Sequence, residues 1–276
     1  MDTTQYFADN LNSAVGGKLL EILEYKVKEL ADLKKQLSLE QLRIEIHENE
    51  FKIRNFSKAL DIGNKISLIA EVKKASPSEG DINIDVDIVE QATVYEQSGA
   101  NVISILTDKK FFKGDIIFLN QIKQNVAVPV LRKDFIFDSY QVYESKFYGA
   151  DAILLMATIL PEEKLIELVE LTHELGLECL VETHTEADME KALKTKAKVI
   201  GINARDLQTF QVDLQNIIDL APQVPQDRIF MAESGVKTGE DVGLLKKAGA
   251  RGILVGTTLM QAENLLEKIK DLKYEN

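Results

Sequence analysis

Residues 151–184, DAILLMATILPEEKLIELVELTHELGLECLVETH, contain one complete unit of the pattern that decides the fold. An apolar run at residues 152–156 is followed by residues 161–175, whose leucines and valine recur at the spacing of one helix face. A second apolar run begins at Leu177. A strand, a helix and a further strand in this order are typical of parallel strands joined by a crossover helix.

The same unit recurs through most of the chain. Eight short runs rich in Ile, Val and Leu alternate with amphipathic segments, and they begin near Ile66, Asn101, Val128, Asp151, Leu177, Lys198, Arg228 and Arg251. Their spacing averages about 26 residues, which is the length that one strand, one helix and two short loops require. We therefore predict an α/β fold in which residues 66–276 form a (β/α)8 barrel, or TIM barrel. A doubly wound open sheet is the alternative, and eight evenly spaced units favour closure.

The chain before the first run has a different pattern. Leucines recur at helical spacing among charged residues in the segment 17–65. We predict that residues 1–65 form an N-terminal helical extension, so that all 276 residues make one domain. Leu23, Leu30 and Leu37 are seven residues apart, so a short coiled-coil seam is the alternative interpretation, although the pattern fades after them.

Composition limits the classes of function. The net charge of −12 disfavours a general attraction to nucleic acid or to an anionic membrane, and no apolar run approaches the length of a membrane span. Residues 1–10 lack the basic and apolar regions of a signal peptide. The single cysteine, Cys179, excludes an internal disulfide framework and fits a reducing compartment. We expect a cytoplasmic protein, and the sequence assigns no protein partner.

Charged and polar side chains follow the apolar runs. They are Glu71 and Lys73 after the first run, Lys133 after the third, Glu182 after the fifth, Asn203 and Arg205 after the sixth, and Glu233 after the seventh. In a (β/α)8 barrel the active site lies at this end of the strands. A single charge there usually only begins a solvated loop, whereas converging charges of both signs need mutual pairing or a substrate. The pattern predicts a site for acid–base chemistry.

The last two strand ends have another character. Ser234 and Gly235 follow the seventh run, and Gly256 and Thr257 follow the eighth. The corresponding loops of many barrels bind phosphate through backbone N–H groups, and the hydroxyl groups add hydrogen-bond donors. Ordinary turns with helix caps are the alternative interpretation. The two loops together predict a phosphorylated small-molecule ligand.

Metal and nucleotide chemistry have little support in the sequence. His47, His173 and His184 are widely spaced and show no metal-ligand spacing to Cys179, and the glycine-rich motifs of nucleotide sites are absent. We expect neither a metal nor a cofactor. His184 follows Glu182 by two residues and is a candidate neighbour of its carboxyl group.

Several motifs resemble those of the indole-3-glycerol phosphate synthase family. They are IAEVKKASPS at 69–78, LTD at 106–108, FFKG at 111–114, LRKDF at 131–135, GIN at 201–203, ESG at 233–235 and LM at 259–260. The resemblance runs from about Leu19 to near the C-terminus. It implies a TIM-barrel lyase of tryptophan biosynthesis with N-terminal helices that help to cover the site. Such a carboxy-lyase converts 1-(2-carboxyphenylamino)-1-deoxyribulose 5-phosphate to indole-3-glycerol phosphate, releasing carbon dioxide and water.

The resemblance also implies roles for individual residues. Lys133 would be the general acid for ring closure, Glu182 the acid–base group for dehydration, and Lys73 a contact of the substrate carboxylate or a second acid. The division of acid duties between the two lysines stays open. The resemblance further implies that Glu71 and Glu233 position the lysines and the substrate, that Asn203 and Arg205 line the site, and that Ser76 lies near the carboxylate. It implies that Phe112 and Leu154 contact the aromatic ring. The phosphate would be bound by Ser234, Gly235, Gly256 and Thr257.

Two alternatives remain at this stage. A related phosphate-binding barrel, phosphoribosylanthranilate isomerase, uses a cysteine on its first strand, whereas this first strand ends in Glu71 and Lys73. A non-catalytic barrel would be expected to lose converging charges, yet Lys73, Lys133 and Glu182 are all present.

Overall fold

The computed structural model describes residues 10–12, 15–48, 51–206 and 209–273. Eight parallel strands form a closed barrel: β1 Ser67–Val72, β2 Val102–Leu106, β3 Val130–Lys133, β4 Ala152–Met156, β5 Glu178–Thr183, β6 Val199–Asn203, β7 Ile229–Glu233 and β8 Gly252–Val255. Each strand pairs with the next, and β1 also pairs with β8, which closes the sheet. The predicted (β/α)8 barrel is confirmed and the open-sheet alternative is wrong. Each strand begins one or two residues after its predicted start.

Helices precede the barrel, as the sequence predicts. They are α1 Gly17–Gln36, α2 Leu39–Glu48 and α3 Phe56–Leu60. Leu23 and Leu30 of α1 are buried in the same apolar core as Leu131 of the barrel, and Leu37 packs against that core. The coiled-coil alternative is therefore wrong, because these leucines face the barrel and not another helix of a seam.

The barrel helices lie between the strands and after the last one. They are α4 Ile88–Gln97, α5 Lys109–Phe112, α6 Ile117–Asn125, α7 Ser139–Phe147, α8 Glu162–Glu174, α9 Glu186–Leu193, α10 Leu214–Leu220, α11 Gly239–Lys247, α12 Thr257–Met260 and α13 Leu265–Leu272. At several helix starts a side chain accepts a hydrogen bond from a backbone N–H group, as Asp138 does before α7 and Thr238 does before α11. Such caps fix the residue at which each helix begins, and so they also fix the end of the loop that follows the preceding strand.

The strands are buried on both faces. Every residue of β1, β2, β4 and β6–β8 is buried, because side chains inside the barrel meet one another and those outside meet the helices. This explains the near-continuous apolar runs. No helix in the described ranges combines the length and the apolar character that crossing a bilayer requires.

The N-terminal extension is fixed to the barrel at the ends of the strands opposite the predicted site. Asp151, just before β4, accepts hydrogen bonds from the backbone N–H groups of Arg54 (2.6 Å) and Val130 (2.8 Å). Glu178 at the start of β5 accepts one from the hydroxyl of Ser57 (2.9 Å). The buried Asp151 and the half-buried Glu178 hold the extension in one position against the barrel.

Candidate active site

A cavity of about 1350 Å³ lies at the carboxyl ends of the strands. It brings together all of the site residues expected from the sequence: Glu71, Lys73, Ser76, Phe112, Lys133, Leu154, Glu182, Asn203, Arg205, Glu233, Ser234, Gly235, Gly256 and Thr257. Leu19 and Ile22 of α1 also line it. The N-terminal extension therefore forms part of the cavity wall.

Two ammonium–carboxylate groupings occupy the floor of the cavity. The Lys133 Nζ atom, at the end of β3, lies 3.0 Å from Glu182 Oε2 and 3.6 Å from Glu233 Oε2. The Lys73 Nζ atom lies 3.4 Å from Glu71 Oε1. The side chains of Glu182 and Glu233 are each only 1% exposed, against 14% for Lys133. The lysine thus faces the cavity while the carboxyl groups support it from beneath.

The surroundings set different protonation states. Burial opposes the charge on Lys133, but the neighbouring acidic side chains, Glu182 foremost, outweigh it and raise the pKa of the ammonium group above its ordinary value. Burial also disfavours ionised Glu182, yet the Lys133 ammonium holds the pKa of Glu182 below its usual range. Burial and the neighbouring Glu182 carboxylate raise the pKa of Glu233 well above its usual value. The surroundings therefore favour an ammonium ion at Lys133, a carboxylate at Glu182 and a protonated carboxyl group at Glu233.

Two glycines leave room for these carboxyl groups. A Cβ atom at Gly256 would lie 2.5 Å from Glu71 Oε1, and one at Gly201 would overlap Glu233 Oε1. Any larger residue would displace the carboxyl group that it meets. The sequence motifs contain both glycines, but their contact partners became clear only from the folded structure.

The two loops expected to bind phosphate open into the same cavity. Ser234 and Gly235 both have left-handed backbone conformations, with φ of 64° and 76°. Consecutive residues of this kind turn the chain sharply after β7 and are uncommon for a serine. Gly256 caps the short helix α12, which begins with Thr257. The arrangement offers hydroxyl groups and backbone N–H groups to an anion from two neighbouring strand ends.

The loop after β1 covers part of the opening. Glu79 accepts a hydrogen bond from the hydroxyl of Thr257 (2.7 Å), and its carboxylate lies 3.5 Å from Arg205 Nη2. Arg205 also approaches the hydroxyl of Ser78 (3.3 Å), which in turn lies 3.3 Å from that of Ser76. Sequence reasoning missed Glu79, although it directly follows the IAEVKKASPS motif.

The opposite wall of the cavity is apolar. Phe112 of α5 and Leu154 of β4 line it together with Phe135 and Met156. The rings of Phe112 and Phe135 are tilted at 45° with centroids 6.1 Å apart. A planar aromatic ligand matches this wall in size and chemistry.

A buried ion network supports the cavity from behind. Lys26 of α1 is 5% exposed, and its Nζ atom lies 3.0 Å from Asp134 Oδ1 and 3.8 Å from Asp108 Oδ2. Asp134 also accepts hydrogen bonds from Thr107 (2.6 Å) and Arg132 (3.1 Å). Sequence reasoning missed Lys26, although it shares a helical face with buried leucines of α1.

Among the described residues, no cluster of three or more His, Cys, Asp or Glu side chains could hold a metal ion. The polar side chains that line the cavity are lysines, an arginine, two amides, carboxyl groups and hydroxyl groups.

Comparisons with known proteins agree with this geometry. The family model described as indole-3-glycerol phosphate synthase matches residues 19–272. The indole-3-glycerol phosphate synthases of two Streptococcus pneumoniae strains, CGSP14 and serotype 19F G54, are each 47% identical over 257 residues, covering 93% of this chain and 97% of theirs.

Solved structures with lower identity share the fold. A 3-hexulose-6-phosphate synthase superposes with a TM-score of 0.61 at 14% identity, over 75% of this chain and 98% of its own. Thiamine phosphate pyrophosphorylase from Pyrococcus furiosus superposes with a TM-score of 0.55 at 17% identity, over 75% of this chain and 93% of its own. These structures support the barrel alone, whereas the family model covers nearly the whole chain. The chain belongs to the indole-3-glycerol phosphate synthase family.

Proposed function

We propose that this protein catalyses the reaction for which its family is named. It converts 1-(2-carboxyphenylamino)-1-deoxyribulose 5-phosphate to indole-3-glycerol phosphate, with release of carbon dioxide and water. The observation that carries the proposal is the grouping of Lys133, Glu182 and Glu233 at the floor of the cavity. It supplies an acid and a base in opposite protonation states beside an apolar wall.

Ring closure needs an acid at the substrate carbonyl. The Lys133 ammonium group donates a proton to the carbonyl oxygen as the aromatic carbon attacks, so the developing negative charge is neutralised. The neighbouring carboxylates keep the lysine protonated at neutral pH. An acid so placed contributes about 10²–10⁴-fold in rate.

Decarboxylation and dehydration follow. The carboxyl group leaves as carbon dioxide, and the electron pair of the broken bond restores the aromatic ring. The Glu182 carboxylate takes the proton that is lost as the indole double bond forms, and the ring hydroxyl leaves as water after it has been protonated. Lys133 beside Glu182 holds it ionised and ready to act as a base.

The remaining residues bind the substrate. We assign the phosphate to Ser234, Gly235, Gly256 and Thr257, and the carboxylate to Lys73 with Ser76 nearby. Glu71 holds Lys73 in place through their contact of 3.4 Å. Asn203 and Arg205 line the path between these ends, and Phe112 and Leu154 contact the aromatic ring. The one cysteine, Cys179, is free and buried, and we propose that the enzyme acts in the reducing cytoplasm.

A fluorescence assay tests the function. The protein contains no tryptophan, so the indole product would be detected without that background. We expect indole emission to rise when the purified protein is mixed with the carboxyphenylamino-deoxyribulose phosphate. Phosphoribosylanthranilate, the substrate of the isomerase alternative, should give no product. A folded protein that forms no indole from the first compound would refute the proposed function.

A further inference from the structure

A chain of hydrogen bonds lies behind Glu182. The Thr158 hydroxyl donates to Asp188 Oδ2 (2.8 Å) and lies 3.0 Å from His184 Nδ1. The other ring nitrogen, His184 Nε2, lies 3.6 Å from Glu182 Oε1. Asp188 is held in turn by Lys191 (3.3 Å) and by the backbone N–H of His184 (3.3 Å). The contacts thus run in the order Asp188, Thr158, His184 and Glu182, and the last of them is longer than a hydrogen bond.

The Thr158 hydroxyl fixes the tautomer of the imidazole ring. A hydroxyl group has one hydrogen, and that of Thr158 is used on the Asp188 carboxylate. Only a lone pair therefore remains toward His184, so Nδ1 must carry the hydrogen of their shared bond. Nε2 of the neutral ring then presents a lone pair. That atom is buried without a hydrogen-bond partner, and the side chain is 9% exposed.

Several groups act on the imidazole from different elements. Burial comes first and lowers the pKa of His184, and Lys133 on β3 acts in the same direction. Glu182 on β5, Asp188 on α9 and Asp206 after β6 raise it. The net effect is a pKa below the ordinary value of 6.5, so the ring is neutral at neutral pH.

We propose that His184 receives the proton that Glu182 takes from the substrate, and so returns Glu182 to its carboxylate form. In this step the O–H bond of protonated Glu182 breaks and an N–H bond forms at His184 Nε2. The products are a carboxylate and an imidazolium ion in contact, and the reverse transfer makes the proton available for the departing hydroxyl group. Because His184 acts through Glu182, it is a positioning residue, and its role rests on the proposed function.

The geometry suits this exchange. The distance of 3.6 Å between His184 Nε2 and Glu182 Oε1 is longer than a hydrogen bond. A proton on either atom attracts the other atom, and this attraction shortens the distance. The more acidic Glu182 gives its proton to the less acidic imidazole, and Asp188 stabilises the imidazolium through Thr158.

Kinetics of His184→Gln test the transfer. Glutamine keeps a polar side chain but cannot titrate. We expect kcat to fall about tenfold, with KM within about twofold of the parent value, because the group acts on proton transfer and not on binding. The acidic limb of the parent kcat profile should follow protonation of His184. In the variant it should move to lower pH, toward the titration of Glu182. A purely structural role would leave the position of the limb unchanged.

Thr158 provides a matched pair of variants. Thr158→Val keeps the shape but removes the hydroxyl that fixes the tautomer, and we expect the same loss of kcat. Thr158→Ser restores the hydroxyl, and kcat should return to within about twofold of the parent. Equal activity of the valine and serine variants would contradict the proposal.

Nitrogen-15 NMR of the parent enzyme decides the tautomer without any turnover. The chain has three histidines, so the His184→Gln spectrum, or that of Thr158→Val, identifies the His184 signals. We expect a neutral ring with hydrogen on Nδ1 at pH 7.5. A hydrogen on Nε2, in a neutral ring or an imidazolium, would overturn the proposal. An enzyme that shows the expected tautomer but makes no indole would refute the proposed function, and with it the role of the proton transfer.

Discussion

Glu233 differs from Glu182 because burial and the Glu182 carboxylate raise its pKa and favour its protonated form. Its side chain is 1% exposed and lies beside Glu182, which carries the negative charge of the pair. One lysine cannot offset two buried carboxylates, so the group farther from Lys133 Nζ holds a proton. A protonated Glu233 shares its hydrogen with Glu182, so that Glu182 is the one carboxylate that pairs with Lys133, at 3.0 Å.

We expect Glu233→Gln to flatten the pH dependence of stability. Because folding raises the pKa of Glu233, its contribution to the free energy of unfolding is fully present below the ordinary value of 4.5 and is lost as pH rises through the folded-state pKa. Glutamine keeps the neutral shape and cannot ionise. Urea denaturation at pH 5 and pH 9 measures this difference. Between the two pH values, the free energy of unfolding of the parent should fall by about 1 kcal/mol or more beyond the fall in the variant.

The matched control for this measurement is Glu190→Gln on the exposed side of α9. It should retain the pH dependence of the parent protein. Equal pH dependence for Glu233→Gln and the parent would mean that Glu233 is ionised in the folded state.

For individual residues, the sequence predicted the direction of a side chain better than it predicted the groups that the side chain contacts. Alternation along a strand placed Lys133 and Arg132 on opposite faces, and the structure has Lys133 in the cavity and Arg132 buried among Asp134, Glu144 and Gln141. The pattern could not reveal that Thr158 and Asp188 fix His184, because Thr158 lies 26 residues before His184 and meets it only in the folded structure. Side-chain direction is a local property, whereas a hydrogen-bond partner depends on the tertiary fold.

At the scale of elements, helix α1 joins the N-terminal extension to the active site. Its Leu19 and Ile22 line the cavity, and its Lys26 pairs with Asp134, the residue after Lys133. Burial opposes the charge on Lys26, yet Asp134, Glu29 and Asp108 together outweigh it and raise the pKa of the ammonium group. This one ion pair therefore connects the cover of the cavity to the strand end that carries the proposed acid.

We expect Lys26→Met to reduce both stability and substrate affinity. Leaving a buried charge without its partner costs about 3 kcal/mol, and we expect a loss of at most this size because Arg132 and Thr107 still bond Asp134. The apparent KM should rise several-fold as α1 shifts and moves Leu19 and Ile22. Chemical denaturation and steady-state kinetics measure the two effects.

Lys35→Met is the control, since Lys35 forms an exposed pair with Asp32 at the other end of α1. It should leave stability and KM unchanged. A Lys26→Met protein with parent stability would show that the ion pair does not hold the helix.

The sequence predicted most elements but not every contact between them. Residues 161–175 were expected to be helical and α8 occupies Glu162–Glu174, while the pattern across 17–65 is divided into three helices. The break after Gln36 was not evident, because Leu37 continues the apolar spacing of α1. The contacts of Glu79 with Arg205 and Thr257 join loops from three strands, and no local pattern encodes them.

At the scale of the whole molecule, we propose that the extension and the barrel are one domain. Residues of α1 and α2 share a continuous apolar core with the barrel, and Asp151 and Glu178 hold the following segment at the opposite end. The number and spacing of the apolar runs were enough to predict barrel closure. They could not predict this packing, because the extension has no place in the repeat.

A shared core implies a single cooperative unfolding transition. We expect far-UV circular dichroism, which follows the helices, and near-UV circular dichroism, which follows the tyrosine environments, to give the same midpoint. An earlier loss of helical signal with the barrel intact would instead make residues 1–65 a separate unit.

We propose that Lys133 supplies the proton for ring closure, and single-turnover kinetics of Lys133→Met test this role. Methionine keeps most of the side-chain length but has no charge and no proton to give. Arg132→Met is the matched control, because the Arg132 side chain points away from the cavity. We expect ring closure to slow by about 10²–10⁴-fold in folded Lys133→Met, with little change in substrate binding, and to stay near the parent rate in folded Arg132→Met. Ring closure by Lys133→Met within a few-fold of the parent rate would contradict the assignment.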